Sequence, residues 1–418
     1  MTTDAAPPTP SATPLEPGRK PRRIPMWDTA RFLAVTLVVI GHAIQRQTTG
    51  SEHALALYTF IYAFHMPAFG VISGYFSSAD TPTAQRMRRT FTDIVVPYII
   101  MQTIWTVVQG IVEGGKDFNP TKPTWTLWFL LALGIFRLIL PYLAQLRWPL
   151  FWAVVLSIGV GYFDNVDSTL SLSRAISLLP FFLVGWQVKQ WGLFDRWYEA
   201  PRRVVVRVRI AAAAVFAAWA ASCAIWIPQF KEFDLHHWFF YDDSYSGLGE
   251  DAWWAGGVRF GLVLLAALLT TSFLLLVPRR TVWLTRFGAA TMYVYLLHTF
   301  VLYPIRESGV LAGEHSAWPY VLLMVAIACG VSLFLAQPFV RRGMKWLLEP
   351  KVDWLFRKDP ACHRPSLGGR EARPARARFR YVVRRPRWYR RCRLRTVAST
   401  ERRAVPPGRR EATRGAPA

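Results

Sequence analysis

Ten long apolar runs follow one another along this chain with only short polar connections between them, and that succession limits the fold more than any other feature. A helix needs about 20 mainly apolar residues to cross the hydrocarbon core of a bilayer. The runs cover 28–46, 54–76, 91–112, 125–143, 148–163, 172–191, 208–228, 253–277, 282–304 and 318–340. The fifth is short and Pro67 interrupts the second, so nine to eleven spans are expected. The fold class read from this pattern is an all-α, polytopic membrane protein of about ten transmembrane helices. Trp27, Trp125, Trp128, Trp148, Trp191, Trp253, Trp254, Trp283 and Trp318 fall near run ends, where an aromatic belt belongs.

Composition is at odds with this until it is divided along the chain. Only 18% of the 418 residues are charged, yet the formal net charge is +24. Residues 351–418 hold 21 Lys/Arg against 5 acids, and the first 350 residues hold 29 against 21. The excess therefore sits in a terminal segment of Arg, Ala, Pro and Gly that has no apolar periodicity and cannot bury a core. It reads as a disordered polybasic tail, and beyond about residue 360 its composition resembles a GC-rich gene read out of frame. Residues 1–26, rich in Pro, Thr and Ala, read as a disordered cytoplasmic leader, which leaves 27–350 as the membrane domain. A nucleic-acid-binding domain does not fit an apolar body with its charge in a tail. Four cysteines without a CxxC spacing exclude a disulfide-built scaffold.

Loop charge sets an expected orientation. With the N-terminus in the cytoplasm, the cytoplasmic loops carry Arg86, Arg88 and Arg89, then Arg147, then Lys189 to Arg209, then Arg279 and Arg280. The opposite loops carry little beyond Lys116, Lys122, Lys231 and Arg306. Five consecutive loop pairs obey the positive-inside rule, which predicts N-in and C-in.

Polar side chains inside apolar runs are costly unless paired or hydrated, so they are informative. Arg31 and His42 are eleven steps apart, about three helical turns or ~16 Å, and project from nearly one face. A snorkelling arginine and an interhelical histidine explain them as well as a site does. His65 lies mid-span beside Pro67, where it either satisfies a freed carbonyl or joins His42 in a polar cavity. Arg86 and Arg89, at i and i+3, suit a phosphate but also serve as orientation signals. His298 falls at a depth similar to His42. His236 and His237 lie among Asp234, Asp242 and Asp243 without a recognised metal spacing, and a hydrated loop rather than a metal site is expected. No Walker, HExxH or GxSxG motif is present.

Taken together these residues resemble the acyltransferase-3 family of integral membrane acyltransferases, particularly its fucose 4-O-acetylase-like branch. The resemblance is carried by Arg31 and His42 with ten residues between them, by Phe64-His65-Met66-Pro67 with Ser73-Gly74-Tyr75-Phe76, and by Arg86 and Arg89. Trp125 to Leu133 and Tyr295-Leu296-Leu297-His298 add to it, and the match covers roughly residues 24–350.

The resemblance implies transfer of an acyl group, acetyl above all, from cytosolic acyl-CoA to a hydroxyl of a sugar or glycoconjugate, in the cell (plasma) membrane. It implies His42 as general base or transient acyl carrier. Arg31, Arg86 and Arg89 would hold the CoA phosphates, His65 and Tyr75 would line the path, and His298 would contact the acceptor. A transporter or exporter of a small polar metabolite or glycolipid is the alternative. It is disfavoured because no internal repeat and no acidic intramembrane relay is seen.

Overall fold

The structure, a computed structural model, describes residues 24–115, 117–308 and 317–356. The leader, the tail beyond residue 356, Lys116, His315, Cys362 and Cys392 lie outside the described residues. Among the described residues there is no strand, and nine helices are long and apolar enough to cross a membrane. They are α1 (Pro25–Thr49), α2 (Glu52–Tyr75), α3 (Ala84–Val112), α4 (Trp125–Leu143), α6 (Thr169–Gln190), α7 (Arg202–Ile225), α8 (Ala255–Leu276), α9 (Trp283–Glu307) and α10 (Trp318–Leu335). A shorter apolar helix, α5 (Pro149–Tyr162), occupies the fifth run. An amphipathic helix, α11 (Pro338–Leu348), follows the last span and carries Arg341, Arg342 and Lys345.

Helix α1 is the central element. Small and branched residues (Ala30, Ala34, Val35, Val38, Val39, Ala43) leave it almost wholly buried, against α2, α9 and α10. Helix α2 is discontinuous. Its regular hydrogen bonding stops at Tyr62 and resumes at His65, two residues before Pro67, whose missing N–H removes a rung of the ladder. Carbonyls at the break gain side-chain donors beside their backbone ones: the Ile61 carbonyl accepts from Phe64 N–H at 3.2 Å and from His65 Nδ1 at 2.9 Å, and the Phe64 carbonyl from Ala68 N–H at 2.8 Å and from Thr270 Oγ1 at 3.4 Å. A break in a span is tolerated only where such partners exist.

The second half of α2 packs on α6 through glycines. A Cβ on Gly74 would strike the Phe182 carbonyl oxygen, and one on Gly185 the Val71 carbonyl. The two backbones touch there, as in small-residue seams between membrane helices.

The bundle has two ends. One gathers the start of α1, the end of α2 and the short helix Leu193–Glu199, where Trp27 stacks on Tyr75 at 4.3 Å and on Phe194 at 4.6 Å. The other gathers the end of α1, the starts of α4 and α6, the end of α9 and residues 234–248. It is joined by Arg46–Glu307 at 3.1 Å and by an Arg174–Asp242 ion pair.

Candidate active site

His42 is on the last turns of α1, at the second end of the bundle. Gly41 beside it admits the Tyr62 ring, which lies 2.8 Å from where a Cβ would be. His65 opens the second half of α2. Both imidazoles line one chamber of about 270 Å³ with Tyr58, Tyr62, Trp125 and Trp128. The bond from His65 Nδ1 to a carbonyl fixes the proton on that nitrogen, because a carbonyl only accepts. In the neutral ring Nε2 then holds the free lone pair.

His298, on α9, stands behind His42 with its ring centroid 5.5 Å away. Its Nδ1 donates to the Val294 carbonyl at 3.0 Å, and its buried Nε2 has no hydrogen-bond partner among the described residues. The structure therefore brings His42, His65 and His298 together, two on the chamber wall and one behind it.

The arginines of the sequence reading gather at the other end. Arg86 and Arg89 line a cleft of about 470 Å³ with Phe76, Asp93 and Tyr142. Arg86 pairs with Asp80 at 3.5 Å, and the hydrogen bond from Ser78, together with this pairing, holds the exposed Asp80 carboxyl below its usual range. Arg31 is 3.8 Å from Asp28 and its guanidinium lies 4.1 Å over the ring of Phe76, itself a wall of the cleft. Tyr75 stands apart from both cavities, in the cluster with Trp27 and Phe194. The cleft and the chamber share no lining residue.

Several functional candidates escaped the sequence reading. Arg137, in the middle of α4, lines the cleft beside a single π-helical turn, Phe91–Val95, that interrupts α3. Such turns recur at functional sites. Arg174 lines the chamber, lies 4.9 Å over Trp128 and pairs with Asp242. Its place two residues inside an apolar run was the available signal. Arg306 was read only as a loop charge, but it too lines the chamber, 4.5 Å over Trp125. Arg259, on α8, is buried against Trp238, Tyr241 and Tyr245, and anchors the loop that roofs the chamber.

The chamber opens into an outer cavity of about 620 Å³, with which it shares Gln45, Tyr58, Phe240 and Arg306. Asp234, His236 and His237 sit on that mouth, each offering one ligand atom within 4.8 Å of the others. Burial, and His237 next to it, push the pKa of His236 down to about 4 against the opposing pull of Asp234.

Chemically the arrangement offers imidazole bases in an aromatic chamber at one end and guanidinium groups in an open cleft at the other. Residues 24–337 match the acyltransferase-3 family, described as an acyltransferase domain. Among curated proteins, nodulation protein NolL of Mesorhizobium japonicum is 28% identical over 183 residues, 39% of this chain and 47% of that protein. Nodulation protein NolL of Sinorhizobium fredii is 26% identical over 213 residues, 47% of this chain and 55% of that protein. The chain thus spans about half the length of the curated relatives it matches. No solved structure matches it.

Proposed function

The chain belongs to the acyltransferase-3 family and is a multi-pass membrane acyltransferase; from that premise we propose that it is an O-acetyltransferase of the fucose 4-O-acetylase-like branch, moving acetyl from cytosolic acetyl-CoA to a sugar hydroxyl. The observation that carries this reading is the meeting of His42 and His65 on one chamber wall, at the opposite end of α1 from Arg31. The acceptor occupies the chamber. His42 takes the proton from its hydroxyl as the oxygen attacks the thioester carbonyl. The carbon–sulfur bond then breaks and CoA leaves as thiolate, to be reprotonated. A hydroxyl is a poor nucleophile until its proton is taken, and a neutral imidazole is suited to that task near neutral pH. His65, with its Nδ1 tied to Ile61, offers a second fixed lone pair to the same hydroxyl, and His298 holds the acceptor side through His42.

The donor approaches from the cleft. Arg86, Arg89 and Arg31 meet the CoA phosphates, as guanidinium forks do. The eleven residues from Arg31 to His42 rise about 16 Å along α1, comparable with an extended pantetheine arm. On this reading the cleft faces the cytoplasm, both chain ends are cytoplasmic, and the protein resides in the plasma membrane. The aromatic chamber suits a carbohydrate of the kind found on a lipid-linked or cell-surface glycan.

The test uses membranes holding the full chain and labelled acetyl-CoA. The expected result is a labelled glycan that disappears in His42→Ala while the protein level is kept. Full labelling by His42→Ala overturns the base. An unchanged KM for acetyl-CoA in Arg86→Ala with Arg89→Ala overturns the clamp.

A further inference from the structure

The walls of the chamber and its mouth are charged in one sense. Together they present Arg46, Arg174, Lys231 and Arg306 against one carboxylate, Asp234. Behind the walls, Asp242 is engaged with Arg174, and Glu113 accepts from Tyr303 and Gln109. Glu307 is divided between two guanidinium groups, 3.1 Å from Arg46 and 3.3 Å from Arg306. The Nε of Arg306 is buried, and its contact with Glu307 is an ion pair without hydrogen-bond geometry. Among the described residues Arg306 is also the one cation that borders both the chamber and the mouth.

The backbone around it is held under strain. Trp125, Tyr241 and Asp234 have positive φ values of 50°, 59° and 45°, in the left-handed region that side chains larger than glycine rarely adopt. Trp125 and Tyr241 line the chamber and Asp234 lines the mouth. Conformations of this kind are costly and persist at sites where a side chain must be aimed. Trp125 is fixed from behind by Trp105, stacked at 5.3 Å, and Arg306 covers it. A guanidinium held over an indole on the chamber wall suits a sugar bearing a carboxylate or phosphate.

We infer that the acceptor carries an anionic group, and that Arg306, held over Trp125, binds that group so that a neighbouring hydroxyl meets His42. This rests on the reading of the chamber as the acceptor site. The spacing agrees. Arg306 is eight residues past His298, a rise of about 12 Å, and a helical side chain leans back towards its own N-terminus. The anionic group then lies about one sugar ring from the histidines.

The experiment measures binding of radiolabelled methyl glucuronide, glucose 6-phosphate and methyl glucoside to the detergent-solubilised full chain by equilibrium dialysis. At low salt an anionic probe is expected to bind at least about tenfold more tightly than the neutral one, which corresponds to about 1.4 kcal/mol. The preferred anion tells carboxylate from phosphate. Arg306→Gln is expected to lower anionic binding to the glucoside level while glucoside binding persists, which shows the variant folded. Arg306→Lys is expected to keep part of the preference and supplies the folded reference if the glutamine variant is lost. Equal binding of all three probes, or none, overturns the inference, as does an unchanged preference in Arg306→Gln. Acetyl-CoA hydrolysis or transfer in the same preparation is scored separately. Turnover without anionic preference refutes only the inference, and preference without turnover refutes only the reading of the donor.

Discussion

His65 shows how one residue serves structure and chemistry together. Its Nδ1 donates to the Ile61 carbonyl at the break in α2, beside the Phe64 N–H, and its other nitrogen is left to the chamber. These tasks separate by substitution. His65→Asn is expected to keep the Nδ donor and the folded protein, but to lower transfer by about 10²–10⁴-fold if the second nitrogen acts as an acid or base. Thermal unfolding and labelled-acetate incorporation measured side by side decide this. His42, His65, Arg86 and Arg89 were legible because an apolar run makes each polar residue conspicuous. Arg174 and Arg306 were not singled out, because a lone arginine near the end of a run has an ordinary use as an orientation signal, and only the third dimension shows which ring it covers; Arg137 was passed over although its place inside a run was a signal. Their placement on a cavity wall comes from contacts between segments far apart in sequence, such as Arg174 with Asp242.

At the scale of elements the loop at residues 234–248 acts as a roof, fastened at several points. Asp242 pairs with Arg174, the Phe240 carbonyl accepts from Arg174 Nε at 3.3 Å, and Tyr245 donates to the Ile158 carbonyl at 2.7 Å. Asp242→Asn is expected to speed hydrogen exchange across the loop and leave the buried spans unchanged. The loop also carries a pH response. His236 has a pKa of about 4 in the fold against an ordinary 6.5, so below 6.5 the unfolded loop takes up the proton first. Stability from the neutral ring is complete above about pH 6.5 and is lost as pH falls towards about 4. Protease cleavage of the loop is expected to rise over that window in the native chain and to stay flat in His236→Asn. Helix positions were largely readable from run length, whereas the break in α2 at Ala63–Phe64 falls ahead of Pro67, because a proline disturbs the turn before it.

For the whole molecule, the two-ended arrangement makes sidedness the informative measurement. Single cysteines at Ser78, beside the cleft, and Thr49, at the chamber mouth, are expected to react oppositely with a membrane-impermeant maleimide on intact cells. Thr49→Cys is labelled from outside and Ser78→Cys only after lysis. The reverse pattern rejects the N-in orientation proposed from loop charge. Truncation after residue 356 is expected to leave transfer intact, since both cavities are built from residues before it.

The glycine seam between α2 and α6 has a consequence for the lipid environment. Where Gly74 and Gly185 bring two backbones into contact, no side chain is present to adjust, so the height of His65 along the bundle is set by the main chain itself. Thicker or thinner bilayers are met by tilt of the peripheral spans and by snorkelling of flanking residues. The seam acts as a ruler that such tilting does not stretch. Turnover in vesicles of graded acyl-chain length is therefore expected to vary little, and to become thickness-dependent when a bulkier residue at position 74 pries the ruler open.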